Sequence, residues 1–283
     1  MKNIKIAGVP EHFNLPWHLC IENGEFDVEG IDLAWTDVPE GTGKLCQMLR
    51  DGSTDIAVIL TEGIVKDILA GNPSKIVQVY VESPLIWGIH VAAKSGFEKL
   101  SDLERKKAAI SRAGSGSQLM AYVNAGNLGW DLSKLQFEIV HTIDGAVEAL
   151  TNGTADYFMW ERFMTQPLVD KGVFRRIGQC PTPWPCFVIA VRDEILEKHP
   201  GTVRRILEII NQTTREFKEI PSIDRTLATR YGQQIDDIRQ WLSLTKWSQK
   251  TPSEQMLNKV QNQLFALSVI DKKGIFAELA KAL

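Results

Sequence analysis

Several classes of protein are excluded by what this chain lacks. No apolar run approaches the roughly 20 residues that a bilayer-spanning helix needs. Charge of one sign is not in excess: across 283 residues the formal net charge is −3, which supports neither a nucleic-acid nor an anionic-membrane partner. The short basic stretch Arg105-Lys106-Lys107 follows Glu104 and reads as a solvated helix end. Cysteine is sparse. Cys20, Cys46, Cys180 and Cys186 have no paired zinc spacing and demand no oxidising compartment. His12, His18, His90, His141 and His199 lack the close spacing of a helical zinc site. No Gly-x-Ser-x-Gly elbow marks a hydrolase nucleophile. Cys186, in Trp-Pro-Cys-Phe, has no histidine near it in sequence and reads as a structural thiol. Neither a cofactor nor a metal is expected. The secretory pattern of a basic end, an apolar stretch of about 7–15 residues and a small-residue cleavage site does not precede the first strand-like segment. A cytoplasmic location is therefore expected of the sequence as written, and a periplasmic one if Met1 stands where a leader was removed.

What is present is an ordinary globular composition, 44% hydrophobic and 24% charged, on a chain long enough for two cores. Strand-like and helix-like segments alternate, the signature of an α/β fold with largely parallel sheets. Strands are expected at Ile4–Val9, Ile31–Thr36, Ile56–Leu60, Val77–Val81, Ile86–Ala92, Ala108–Ser111, Phe137–His141, Tyr157–Trp160 and Phe187–Val191. Helices are expected at Leu15–Glu25, before Arg50, at Ser117–Ala125 and at Asp144–Leu150, and from Asp193 onward the pattern is helical and amphipathic.

One segment repeats. Leu49-Arg50-Asp51-Gly52-Ser53-Thr54-Asp55-Ile56-Ala57-Val58 aligns with Leu150-Thr151-Asn152-Gly153-Thr154-Ala155-Asp156-Tyr157-Phe158-Met159. Each is a helix end, a glycine stop, a turn, an aspartate and an apolar strand. Such turns recur in α/β proteins, but a pair this similar is better explained by two lobes of related fold. In such lobes the carboxyl ends of the strands would meet at one shared cleft.

The stretch Gly52-Ser53-Thr54-Asp55-Ile56-Ala57-Val58 resembles the helix-to-strand turn of type 2 periplasmic-binding-protein folds. Ser83-Pro84-Leu85-Ile86-Trp87-Gly88-Ile89-His90, Pro181-Thr182-Pro183-Trp184-Pro185-Cys186-Phe187-Val188-Ile189-Ala190 and Gly8-Val9-Pro10-Glu11-His12 together resemble the nitrate/sulfonate/taurine-type solute-binding group. That group lies within the thiamine-pyrimidine-synthase-like superfamily, and the likeness is to a branch found in bacteria and fungi. The resemblance implies an α/β, two-lobed type 2 periplasmic-binding-protein-like fold, with mixed, mostly parallel sheets flanked by helices. Lobe I would comprise residues 1–88 plus 189–283, including the C-terminal helices, and lobe II residues 89–188. Two hinge crossings would join them. It implies a solute-binding protein of ABC-transporter type, monomeric, with an ABC permease as partner and a small anionic or flat organic ligand in the cleft.

The residues expected at the ligand follow from strand ends and loops. Ser111, Arg112, Gly114, Ser115, Gly116 and Ser117 lie in a loop that opens a helix, where free N–H groups, hydroxyls and a guanidinium make an anion site. No Gly-Lys-Ser/Thr follows, so the loop is not a P-loop. Glu11 and His12 follow the first strand, although Asn14 beside them equally suits helix capping. Gly41 and Thr42 could supply backbone donors or form a plain turn. Thr61 and Glu62 follow one apolar strand, and Trp160 and Glu161, with Arg162, follow another. Trp160 offers an aromatic plate. Trp87 and Trp184, near the crossings, suit ligand stacking and hinge packing equally. His90, inside a strand, reads as structural. Binding is expected over catalysis. The alternative is a cytoplasmic enzyme or sensor on the same fold, a lyase of the pyrimidine-precursor or menaquinone-pathway kind. The fungal thiamine-pyrimidine synthases carry a cysteine-rich iron-binding motif, and this chain has no such cluster.

Overall fold

The computed structural model describes residues 2–283. In chain order, β1 (Lys2–Gly8) leads through a short turn to α1 (Leu15–Glu22). The helix expected to reach Glu25 divides here, because Gly24 adopts the left-handed conformation (φ 69°), and the short α2 (Glu25–Val28) starts afresh. Next come β2 (Ile31–Asp37), α3 (Thr42–Asp51), β3 (Ile56–Leu60), α4 (Thr61–Leu69) and β4 (Ser74–Val81). A second series follows: β5 (Ile86–Ala92), β6 (Lys107–Ile110), α5 (Gly116–Asn127), β7 (Gln136–Ile139), α6 (Ile143–Asn152), β8 (Tyr157–Glu161), α7 (Gln166–Asp170) and β9 (Phe174–Pro181). The chain closes with β10 (Phe187–Arg192), α8 (Asp193–Lys198), α9 (Pro200–Glu216), α10 (Ile223–Tyr231), α11 (Ile235–Leu244), α12 (Glu254–Ala266) and α13 (Phe276–Leu279).

Two compact units result, one formed by the chain up to Ser83 together with Trp184–Leu283, the other by Pro84–Pro183. The divisions fall a few residues ahead of the expected 88 and 188. The reason is pairing: all of β5 is hydrogen-bonded between β8 and β9, and all of β10 between β3 and β4. The first unit holds a sheet of order β2-β1-β3-β10-β4, the second one of order β7-β6-β8-β5-β9. In the first, β10 alone runs against its neighbours, and in the second β5 does, so both sheets are mixed but mostly parallel in strand direction. Strands β3 and β10, central and covered on both faces, are almost wholly apolar and buried.

The repeated segment takes the same form twice. Gly52 (φ 75°, ψ 16°) and Gly153 (φ 77°, ψ 17°) end α3 and α6 in the left-handed conformation. Asp55 then accepts the Lys5 amide of β1 at 2.9 Å and returns its own amide to the Lys5 carbonyl at 2.9 Å. Asp156 does the same with Lys107 of β6, at 2.8 Å in both bonds.

Two elements escape the sequence pattern. Strand β9 is hidden by Arg175, Arg176, Gly178 and Gln179, polar because it is an edge strand paired on one side only. Helix α4 begins at Thr61, directly after β3, where no helix is expected from the sequence. The C-terminal helices bury Ile206, Ile210, Trp241, Leu257, Val260 and Leu264. The segments after α11 and α13 bridge the outer strand β4 at Val81↔Trp247 and Ile76↔Ala280, which protects an edge that would otherwise be open. In the second unit the core gathers Val140, Ala146, Leu150, Phe158 and Phe174. Among the described residues no helix is long and apolar enough to cross a membrane.

Candidate functional site

Parallel pairing of β1, β2 and β3, with β10 starting opposite Leu60, brings four segments to one edge of the first sheet: 8–14, 37–42, 61–63 and 184–187. Gly8 is required there. A Cβ would lie 2.7 Å from the Trp35 ring and 2.9 Å from Asn14 Nδ2. The Val9 carbonyl accepts the Glu11 amide and Asn14 Nδ2, both at 2.8 Å. The Asn14 side chain thus braces the turn from within rather than capping α1, for which it makes no side-chain cap bond. His12 is fully buried and lies flat on Trp241, with ring centroids 4.2 Å apart and planes at 8°. The Phe13 carbonyl accepts the Tyr80 hydroxyl at 2.8 Å and the Trp247 indole at 3.2 Å. The tail of the chain therefore shapes the loop after its first strand. Burial lowers His12 to about 3, so the imidazole is neutral, and raises the half-buried Glu11 to about 7.

Thr61 and Glu62 form the first turn of α4. Thr61 donates its hydroxyl to the Pro185 carbonyl at 2.6 Å, and its amide to that of Cys186 at 3.0 Å. The Trp184 indole donates to Glu62 Oε2 at 2.7 Å, and both side chains are buried. Burial pushes the Glu62 carboxyl up to about 7, against the opposing pull of its own amide and of that indole. Gly41 (φ 76°) turns the chain into α3. The Thr42 methyl packs on Gly63, where a Cβ would lie only 2.2 Å away. Sequence reasoning missed a further group on this edge: Trp35 donates to Asp37 at 2.8 Å, with His18 at 3.9 Å. Its signal was the polar residue closing β2.

The second unit gathers its own edge in the same way. After β6, Ser117 Oγ accepts the Ser111 amide at 3.0 Å and lies 3.0 Å from Ser115 Oγ. Ser115 caps α5 by accepting the Gln118 amide at 3.3 Å, and Gln118 Oε1 takes the Gly114 amide at 2.7 Å. Among the described residues nothing accepts the amides of Gly116 and Ser117. They lie at the positive end of a twelve-residue helix. Arg112 sits in the same loop, half-buried. The Val140 and His141 amides bind the Ile110 and Ser111 carbonyls, at 2.8 and 3.1 Å, and fix the neighbouring turn to this loop. The expected strand to His141 stops at Ile139, since His141 has φ 62°.

Trp160 stacks on Phe158 at 5.3 Å and meets Trp87 edge-on at 6.3 Å. Trp87 is buried within β5 opposite Glu161. Glu161 is the last residue of β8 rather than a group beyond it, and its carboxylate accepts the Met164 amide at 2.7 Å, which holds the following turn. His90 Nε2 shares a hydrogen with Thr165 Oγ1 at 3.0 Å inside the core, and burial, its largest influence, lowers it to about 4. Glu11, His12, Gly41, Thr42, Thr61, Glu62 and Trp184 thus fall on the first unit. Trp87, Ser111, Arg112, the 114–117 loop, Trp160 and Glu161 fall on the second. All four cysteines are buried and unpaired with one another. No group of acidic, histidine or cysteine residues suited to a metal ion occurs among the described residues.

Comparison with known proteins agrees with this architecture. Residues 87–180 match the family model described as Ca3427-like PBP. A Candida albicans protein, the CA3427 gene product, described as defining a family with the generic periplasmic binding protein fold, superposes with a TM-score of 0.88 at 24% identity. The match covers 97% of this chain and 92% of that one. The alkanesulfonate-binding protein SsuA of Xanthomonas axonopodis pv. citri, bound to MOPS, gives 0.84 at 16% identity over 100% and 99% of the two chains. The aliphatic sulphonate binding protein SsuA of Escherichia coli gives 0.75 at 16% identity over 99% and 92%. No curated protein matches the sequence significantly.

Proposed function

From a chain with the periplasmic-binding-protein fold, we propose that it binds a small anionic organic molecule without transforming it, using strand-end residues of the second unit. The observation that carries this reading is the start of α5. Two helix-terminal amides there, those of Gly116 and Ser117, have no acceptor among the described residues, the serine hydroxyls around them are locked by hydrogen bonds to one another and to the backbone, and Arg112 lies in the same loop. Amides held in place at a helix N-terminus stabilise an anion at little cost in reorganisation. Trp160, braced by Phe158 and Trp87, supplies a flat apolar face for the ligand's body. Two of the structures of the same fold are of sulfonate-binding proteins, which supports an anion of that class. The use proposed for binding is delivery to an ABC-type permease by a monomeric protein.

Calorimetric titration with alkanesulfonates and carboxylates tests the placement. Arg112→Ala and Trp160→Ala are each expected to weaken the bound compound about tenfold, some 1.4 kcal/mol. Unchanged affinity in both variants would sink it. Mass spectrometry of the recovered ligand separates binder from enzyme: an intact compound supports the proposal, and a product overturns it.

A further inference from the structure

Among the C-terminal elements of the first unit two cations stand together without a counter-charge. Lys218 lies in the short helical turn Phe217–Glu219, and Lys246 follows α11. Both residues are exposed, and among the described residues neither ammonium makes an ion pair or a hydrogen bond. Burial lowers Lys218 from its ordinary value, the Lys246 ammonium lowers it further, and no carboxylate draws it back. Acids in the neighbouring segments are engaged elsewhere: Asp224 accepts Arg239 at 2.9 Å, and Glu82 accepts Lys250 at 2.9 Å. Glu219, beside Lys218 in the chain, is exposed and makes no ion pair among the described residues. The backbone under both lysines is held in place. Phe217 is fully buried and packs on Trp247 with ring centroids 4.6 Å apart. Lys246 gives its amide to Ser83 Oγ at 3.0 Å, and its carbonyl takes the Glu82 amide at 2.8 Å.

Lys218 and Arg239 stand on the rim of an open depression of about 430 Å³ whose floor is aliphatic, formed by Ile220, Ile223 and Leu242. Leu244, at the end of α11, is 42% exposed. So open a dish leaves most of a small molecule's surface in water, and its aliphatic floor offers a phosphodiester nothing. Ammoniums beside aliphatic side chains are complementary to a carboxylate beside an aliphatic side chain. We infer that this face, formed by residues 217–224, α11 and Lys246, docks an acidic amphipathic segment of a partner protein, a carboxylate between the two lysines and an aliphatic side chain on Ile220 and Leu242. The surface belongs to the first unit alone, and its use does not depend on what the protein binds at α5.

Backbone amide shifts of the full chain, followed by NMR, test this with a synthetic helical peptide carrying glutamate and leucine on one face. A twin peptide has glutamine at each glutamate. The acidic peptide is expected to move the amides of Lys218, Ile220, Leu242 and Lys246, and to bind at least about fivefold more tightly than its twin. Replacing both lysines, Lys218→Ala with Lys246→Ala, is expected to remove that preference, whereas Leu242→Ala weakens both peptides alike. A melting temperature of the lysine variant at or above the wild-type value, once the repulsion is gone, confirms that it folds. No shift at this face, equal binding of the twin, or a preference that survives loss of both lysines overturns the inference. So do shifts at this face on concentrating the protein alone, which would give it to a second copy of this chain.

Discussion

Gly145 illustrates how a single side chain is constrained by neighbours the local sequence does not reveal. It is the third residue of α6, and its amide is taken by the cap Thr142 Oγ1 at 3.1 Å. By helix propensity alone, alanine there would gain up to about 1 kcal/mol. A Cβ, however, would lie 2.0 Å from the Val140 carbonyl oxygen, a backbone atom. Gly145→Ala is therefore expected to destabilise by about 1–3 kcal/mol, read as a lower urea midpoint. A midpoint equal to or above that of the wild type would show that the 140–142 turn yields freely. Glu62 and His12 teach the same lesson. Their types and strand-end positions were legible, but their partners, Trp184 and Trp241, lie far along the chain, and no local pattern signals such pairs.

Elements are where the sequence was most readable. Strands β3 and β5 begin and end where the apolar pattern does, and glycine stops mark the ends of α3 and α6. The aspartate after each stop does more than turn the chain: it accepts the amide of the neighbouring parallel strand, so that helix end, turn and strand pair form one joint in each unit. Asp55→Ala and Asp156→Ala should each cost about 1–3 kcal/mol by leaving a strand amide without its acceptor. The local signature is faster hydrogen exchange at Lys5 in the first variant and at Lys107 in the second. Unchanged exchange at both amides would show that the joint is held by backbone alone. The misread elements have a common cause. Strand β9 needs only one neighbour and one covered face, so its polar residues mimic a loop, and α4 starts directly at the end of β3 with no linking turn to announce it.

At the scale of the molecule, burial sets two opposed groups of titrating side chains. Burial lowers His12 and His90 to about 3 and about 4, from the 6.5 of a free imidazole. Below pH 6.5 the unfolded chain therefore binds protons that the folded one refuses, and stability is lost as pH falls toward those values. Glu11 and Glu62 are raised to about 7 from 4.5. They bind protons first in the folded state, a contribution fully present below pH 4.5 and lost as pH rises through 7. Between about pH 4.5 and 6.5 the two effects nearly cancel, and this part of the unfolding free energy should be flat. Glu62→Gln removes one compensating proton, so its stability relative to wild type should fall by about 1.4 kcal/mol for each pH unit from 6.5 down to 4.5. Chemical denaturation at three pH values measures this, and a constant difference between the proteins would refute it. The sequence by itself determined the alternation of helices and strands, the α/β class and the repeated glycine–aspartate joint, because these follow from apolar periodicity and left-handed glycine within a few residues. Only the tertiary structure decided which polar groups share an edge, which carboxyls lose their solvent, and which of them remain without a partner, because those depend on parallel pairing and burial between segments distant in the chain.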